Sequence, residues 1–138
     1  RLRAFGVRPG DRVCGYLPNV PQAAIAMLAT TAVGAVWASA SPDFGSRGVI
    51  DRFGQLRPKV LFCVDGYRYG GKTFDRRDEV RRIADALPGL DQLIHLPVLA
   101  DGDPEPLAVA RLRCDDVPHH PPVPAADFEF EHVPFAPP

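Results

Sequence analysis

Along the first two thirds of the chain, apolar residues gather into short unbroken runs separated by amphipathic stretches. Arg12 to Leu17, Ala35 to Ala40, Lys59 to Val64 and Gln92 to Leu96 are each five or six residues long and apolar rather than alternating. Runs of that length fit strands buried on both faces. Between them lie three helical patterns. From Gln22 to Val33 the sequence QAAIAMLATTAV is apolar on almost every side, which predicts a helix buried on more than one face. Val49, Ile50, Phe53 and Leu56 form a single stripe, ended by Pro58. Val80, Ile83, Ala84 and Leu87 form another, stopped at Pro88-Gly89. Asn19, Ser46 and Asp75 are the expected N-caps. Leu2 and Phe5 read as the tail of a preceding helix that ends at Gly6.

The resulting order, β-α-β-α-β-α-β with apolar strands, predicts an α/β fold: part of a doubly wound, mostly parallel sheet with helices on both faces. That unit spans 1–97. Ten of the sixteen prolines fall between Pro97 and Pro138, so 98–138 reads as a proline-rich connection. Only Phe128 to Val133 regains a strand-like alternation there.

Composition narrows the function classes. A net charge of −1 offers no bulk attraction to nucleic acid or anionic lipid, and no apolar run is long enough to span a bilayer. Cys14, Cys63 and Cys114 are odd in number and widely spaced, which favours a reducing, cytoplasmic setting over a disulfide framework. His119 and His120 with Cys114 lack a metal-ligand spacing, so no metal site is expected. Arg76, Arg77, Arg81 and Arg82 alternate with acidic residues and read as a solvated helix face. The chain opens on Arg1 without a methionine, which suggests an excerpt of something longer.

The strongest candidate for chemistry is Asp65 to Asp75, DGYRYGGKTFD, directly after a strand-like run. Gly66 to Thr73 satisfies the G-x-x-x-x-G-K-T phosphate-loop pattern, so a small nucleotide-binding module is one reading. Against it, the residues after Lys72-Thr73 are mostly charged, and the helix-start signal comes later, at Asp75. A basic glycine loop that meets some other phosphate is the second reading, and a non-catalytic truncated product the third.

Several segments together resemble the acetoacetate–CoA ligases of the AMP-forming adenylating superfamily: GVRPGDRVCGYLPNVPQAAIAMLATTAVGAVWASASPDFG (6–45), VIDRFGQLRPKVLFCVDGYRYGGKTFDRR (49–77) and FEFEHVPFAPP. The resemblance implies an enzyme that joins a short carboxylic acid to CoA through an acyl-adenylate, using ATP, Mg2+ and CoA, with small-molecule partners only. It implies that the Ser/Thr/Gly-rich ATP loop, the ribose aspartate and the adenylation lysine lie outside this chain. No catalytic residue is therefore expected in 1–138, and the chain alone is expected to be inactive. The equivalent of DGYRYGGK in acetyl-CoA synthetases contacts the nucleotide end of CoA, which points to Lys72, Gly71 and Arg68. SPDFG resembles a segment lining the pantetheine path, which adds Asp43, Phe44 and Gly45. A sheet cut from a larger one should leave apolar surface uncovered, so the isolated chain is expected to be marginal or aggregation-prone.

Overall fold

The computed structural model describes residues 2–99 and the backbone of 112–113. The strand expected at 128–133 and the Cys114, His119, His120 group lie outside the described residues. The strands are β1 (Arg12–Tyr16), β2 (Val36–Ala40), β3 (Val60–Val64), β4 (Gly66–Tyr69), β5 (Lys72–Asp75), β6 (Gln92–Leu96) and β7 (Leu112–Arg113). The helices are α1 (Pro21–Ala32), α2 (Ser46–Leu56) and α3 (Arg77–Ala86). The main sheet runs β2-β1-β3-β6-β7, and every pairing in it is parallel.

The order of connections decides where the helices go. The chain steps from β1 sideways to β2, then returns across β1 to β3 and continues outward to β6. Right-handed crossovers in opposite directions must lie on opposite faces of the sheet. On one face, Cys14, Tyr16, Leu61, Cys63 and Leu93 pack against Val49 and Phe53 of α2 and Val80 and Ile83 of α3. On the other, Val13, Val60 and Ile94 meet Leu2, Val7 and Ala35, with Phe5 and Val33 alongside. Burial on both faces explains why β1 and β3 carry no polar alternation. Trp37 lies half-buried across Gly15, and its ring meets that of Phe62 with centroids 6.2 Å apart. Arg12 ties the lower end of the sheet to α2. Its Nε donates to the Leu56 carbonyl (2.6 Å) and its Nη2 to that of Arg57 (3.1 Å), satisfying acceptors that the helix end leaves open.

Three expectations require correction. Val20, not Asn19, is the N-cap of α1, because Pro21 begins the helix and holds the residue before it extended. Ser46 is already helical behind a Gly45 cap. Asp75 stands one residue outside the Arg76 cap of α3, although its Oδ1 accepts the Arg77 N–H at 2.8 Å. The burial expected of α1 is also incomplete. Ala26 and Thr30 are buried, but Ile25 and Leu28 are 64% and 62% exposed.

The largest departure is at 66–75. These residues form an antiparallel hairpin, β4 against β5, with Gly66 opposite Asp75 and Tyr69 opposite Lys72. Gly70 and Gly71 make the turn at φ 57° and 73°, the left-handed pair that a two-residue hairpin connection requires. The phosphate-loop alternative fails on this geometry. Lys72 and Thr73 are extended, and α3 starts only at Arg77, so no helix N-terminus presents amides behind the lysine.

Two outcomes follow from this packing. Replacing Ile25 and Leu28 with Glu should reduce self-association of the 138-residue chain, read by light scattering, without lowering its melting temperature. Unchanged scattering would show that this face is not what associates. Burial pushes the Cys14 thiol from 9.0 to about 12 and the Tyr16 hydroxyl from 10.0 to about 12. Both groups are neutral when folded, so their contribution is complete below pH 9.0 and is lost as pH rises towards about 12. Melting temperature should fall progressively over that alkaline window, and less steeply in Cys14→Ala. A flat profile to pH 12 would contradict the burial of both groups.

Candidate functional site

Parallel strands deliver their following loops to one edge of the sheet. Where adjacent strands send their crossovers to opposite faces, those loops part and leave a crevice. Here the crevice opens above β1 and β3. It is a cleft of about 800 Å³ lined by residues 18–20 after β1, 41–43 after β2, 67–69 of the hairpin and Val98 after β6. Its charged lining residues are Arg68 and Asp43.

One wall is fixed from beneath by Tyr16, which is fully buried at the end of β1. Its hydroxyl lies 3.0 Å from the Pro42 carbonyl and 2.8 Å from that of Phe44, so it donates to the loop that carries Asp43. Burial keeps that hydroxyl protonated and available as a donor. Phe44 is half exposed, and the Arg52 guanidinium sits 5.2 Å from its ring centroid.

The hairpin forms the opposite wall. Tyr67 and Phe74 stack across it with centroids 4.9 Å apart. Arg76 braces Tyr67 by a 3.3 Å hydrogen bond to its hydroxyl, and its guanidinium lies 5.5 Å from the ring centroid. That hydrogen bond raises the Arg76 pKa further above its ordinary value. Tyr69 projects at 78% exposure, an aromatic surface open to solvent beside Arg68.

The structure therefore brings two of the sequence candidates, Arg68 and Asp43, to one cleft. Gly71 and Lys72 lie at the exposed hairpin tip, and Phe44 and Gly45 lead away from Asp43 towards α2. Cross-strand pairing sets Arg68 with Thr73 on one face of the ribbon and Tyr69 with Lys72 on the other. The two cations thus flank the hairpin rather than converge from one side. Sequence reasoning missed Tyr16, Tyr67, Tyr69 and Asn19. The available signal was the Tyr-Arg-Tyr triplet before Gly-Gly, which places exposed aromatics beside a cation. Among the described residues, no three His, Cys, Asp or Glu side chains gather to hold a metal ion, and no helix is long and apolar enough to cross a membrane.

Comparison with known proteins agrees with this architecture. Residues 1–128 match the family model described as AMP-binding enzyme. The chain is 46% identical over 96 residues to the acetoacetyl-CoA synthetase of Mus musculus, covering 70% of this chain and 14% of that protein. It is 52% identical over 86 residues to the acetoacetyl-coenzyme A synthetase of Rhizobium meliloti, covering 62% of this chain and 13% of that protein. The solved acetoacetyl-CoA synthetase from Streptomyces lividans superimposes with a TM-score of 0.72 at 62% identity, covering 75% of this chain and 16% of that one. The chain thus spans about one seventh of the length of these relatives. A family model matched over nearly the whole chain, on a doubly wound sheet with its cleft at the crossover reversal, establishes that this chain belongs to the AMP-binding enzyme family.

Proposed function

We propose that the complete protein is an AMP-forming acetoacetate–CoA ligase and that these residues supply the wall of its CoA site. The observation that supports the activity is the 62% identity to the Streptomyces lividans synthetase over three quarters of this chain. In the proposed reaction an acetoacetate oxygen attacks the α-phosphorus of ATP and displaces diphosphate. The CoA sulfur then attacks the acyl carbon of the adenylate and AMP departs. A carboxylate resists a thiol because oxide is a poor leaving group, and adenylation replaces it with a good one. Mg2+ accompanies ATP as a proposed cofactor, offsetting charge on the phosphates. The chemical steps are assigned to residues beyond this chain. The partners are small molecules, and a cytoplasmic setting suits the buried free thiols of Cys14 and Cys63.

The role proposed for the cleft is to hold the nucleotide end of CoA. Arg68 offers a planar fork suited to phosphate, and Lys72, across the ribbon, adds a point charge. Gly71 keeps the tip narrow enough for close approach, and Tyr69 presents a ring to the base. Asp43, Phe44 and Gly45 form the side along which the pantetheine arm runs.

In the complete enzyme, Arg68→Ala and Lys72→Ala should each raise the KM for CoA about ten-fold or more, the loss of one charge-assisted contact. Acetoacetate-dependent exchange of diphosphate into ATP, which needs no CoA, should be unchanged. An unaltered KM in both variants would remove the CoA assignment. Absence of exchange with acetoacetate would remove the substrate.

A further inference from the structure

We propose that Asp65 is a positioning residue for the cleft: its buried carboxylate fixes the peptide of Leu99, and that peptide fixes the guanidinium of Arg68. The inference rests on the reading that this cleft receives the nucleotide end of CoA.

Asp65 is 1% exposed at the junction of β3 and the hairpin. Its Oδ1 accepts the Val98 N–H at 2.8 Å and the Leu99 N–H at 3.1 Å, and its Oδ2 lies 3.3 Å from the same Leu99 nitrogen. Its main-chain carbonyl accepts the Arg76 N–H at 2.7 Å, closing the base of the hairpin where α3 begins. One residue thus joins three segments that are separate in sequence: the end of β3, the start of α3 and the exit of β6. Leu99 is the shared piece. Its N–H is held by Asp65, while its carbonyl accepts a hydrogen bond from Arg68 Nη2 at 3.2 Å. Gly66 permits the approach, since a Cβ there would overlap the Phe74 carbonyl and the Leu99 side chain.

This arrangement does more than close a loop. A carboxylate is costly to bury, and a neutral amide could accept one of these N–H groups. An ionised acceptor makes the shorter and roughly twice as strong bond, and two oxygens can hold two successive amides at once. The segment so held is the part of the cleft wall that contributes Val98 and the acceptor for Arg68. Loosening it withdraws the Leu99 carbonyl from the Arg68 guanidinium while the hydrophobic sheet beneath, built on Val64 and Leu96, stays packed.

The test uses the complete enzyme and separates the two half-reactions. Asp65→Asn preserves shape and removes the charge. It should raise the KM for CoA about five-fold, near the net worth of one ordinary hydrogen bond, and leave acetoacetate-dependent diphosphate exchange within about two-fold. The double variant Asp65→Asn/Arg68→Ala should be no worse than Arg68→Ala alone, because both act through one contact. Leu99→Pro deletes one donor while leaving the buried carboxylate, and should give the same selective rise. Multiplying effects in the double variant, an unchanged KM in Asp65→Asn or Leu99→Pro, or a parallel fall of both half-reactions would each overturn the proposal. If Arg68→Ala raises the KM while Asp65→Asn does not, only the role of Asp65 fails. If Arg68→Ala itself leaves the KM unchanged, this proposal fails, and if Lys72→Ala leaves it unchanged as well, the cleft assignment fails with it.

Discussion

The reversal of crossover direction at β1 and β3 is the constraint on which the rest of the molecule depends. Both strands are buried on both faces, so each must be covered above and below. Right-handed crossovers meet that need only by sending α1 to one face and α2 and α3 to the other. The same reversal parts the loops at the carboxyl edge and leaves a cleft lined by both polar and apolar side chains. Packing and cleft are two consequences of one topological fact.

What the topology opens, a few buried polar groups hold in shape. Tyr16 reaches up from the end of β1 to the carbonyls of Pro42 and Phe44, and Asp65 reaches from the end of β3 to the amides of Val98 and Leu99. Tyr16 ends β1 and Asp65 directly follows β3, and each grips a loop beyond the sheet edge. Buried polar groups are retained where every bond they can make is made, and both of these are well satisfied. The hairpin adds a projecting wall whose rigidity comes from the Tyr67–Phe74 stack and the Arg76 brace.

Much of the sheet was legible in the sequence because its signal is local. The run Val-Leu-Phe-Cys-Val of β3 and the run ending at Leu96 have no plausible alternative to a buried strand, and the stripe Val49, Phe53 pointed α2 at them. The hairpin was less legible because two patterns overlap at 66–75. Gly-Gly between Tyr-Arg-Tyr and Lys-Thr-Phe is a two-residue turn signal, but the same letters complete a phosphate-loop pattern. Pairing partners decide between them, and pairing is not a local property. Helix caps slipped by one residue for a related reason, since Pro21 fixes its neighbour regardless of whether Asn19 could cap. The exposure of Ile25 and Leu28 was hidden for a different one: an all-apolar helix announces that it will be covered, but not by what. The cleft residues Arg68 and Asp43 were found through resemblance, whereas Asp65 and Tyr16 emerge only once segments distant in sequence are brought together.

Amide hydrogen exchange on the complete protein, with and without CoA and compared with pantetheine alone, tests directly whether the cleft above β1 and β3 meets the nucleotide end of CoA. Slowed exchange at 67–72 and 98–99 with CoA but not with pantetheine is the result expected, because only CoA carries the phosphates and base. Exchange at these residues unchanged by CoA, with protection elsewhere, would contradict it.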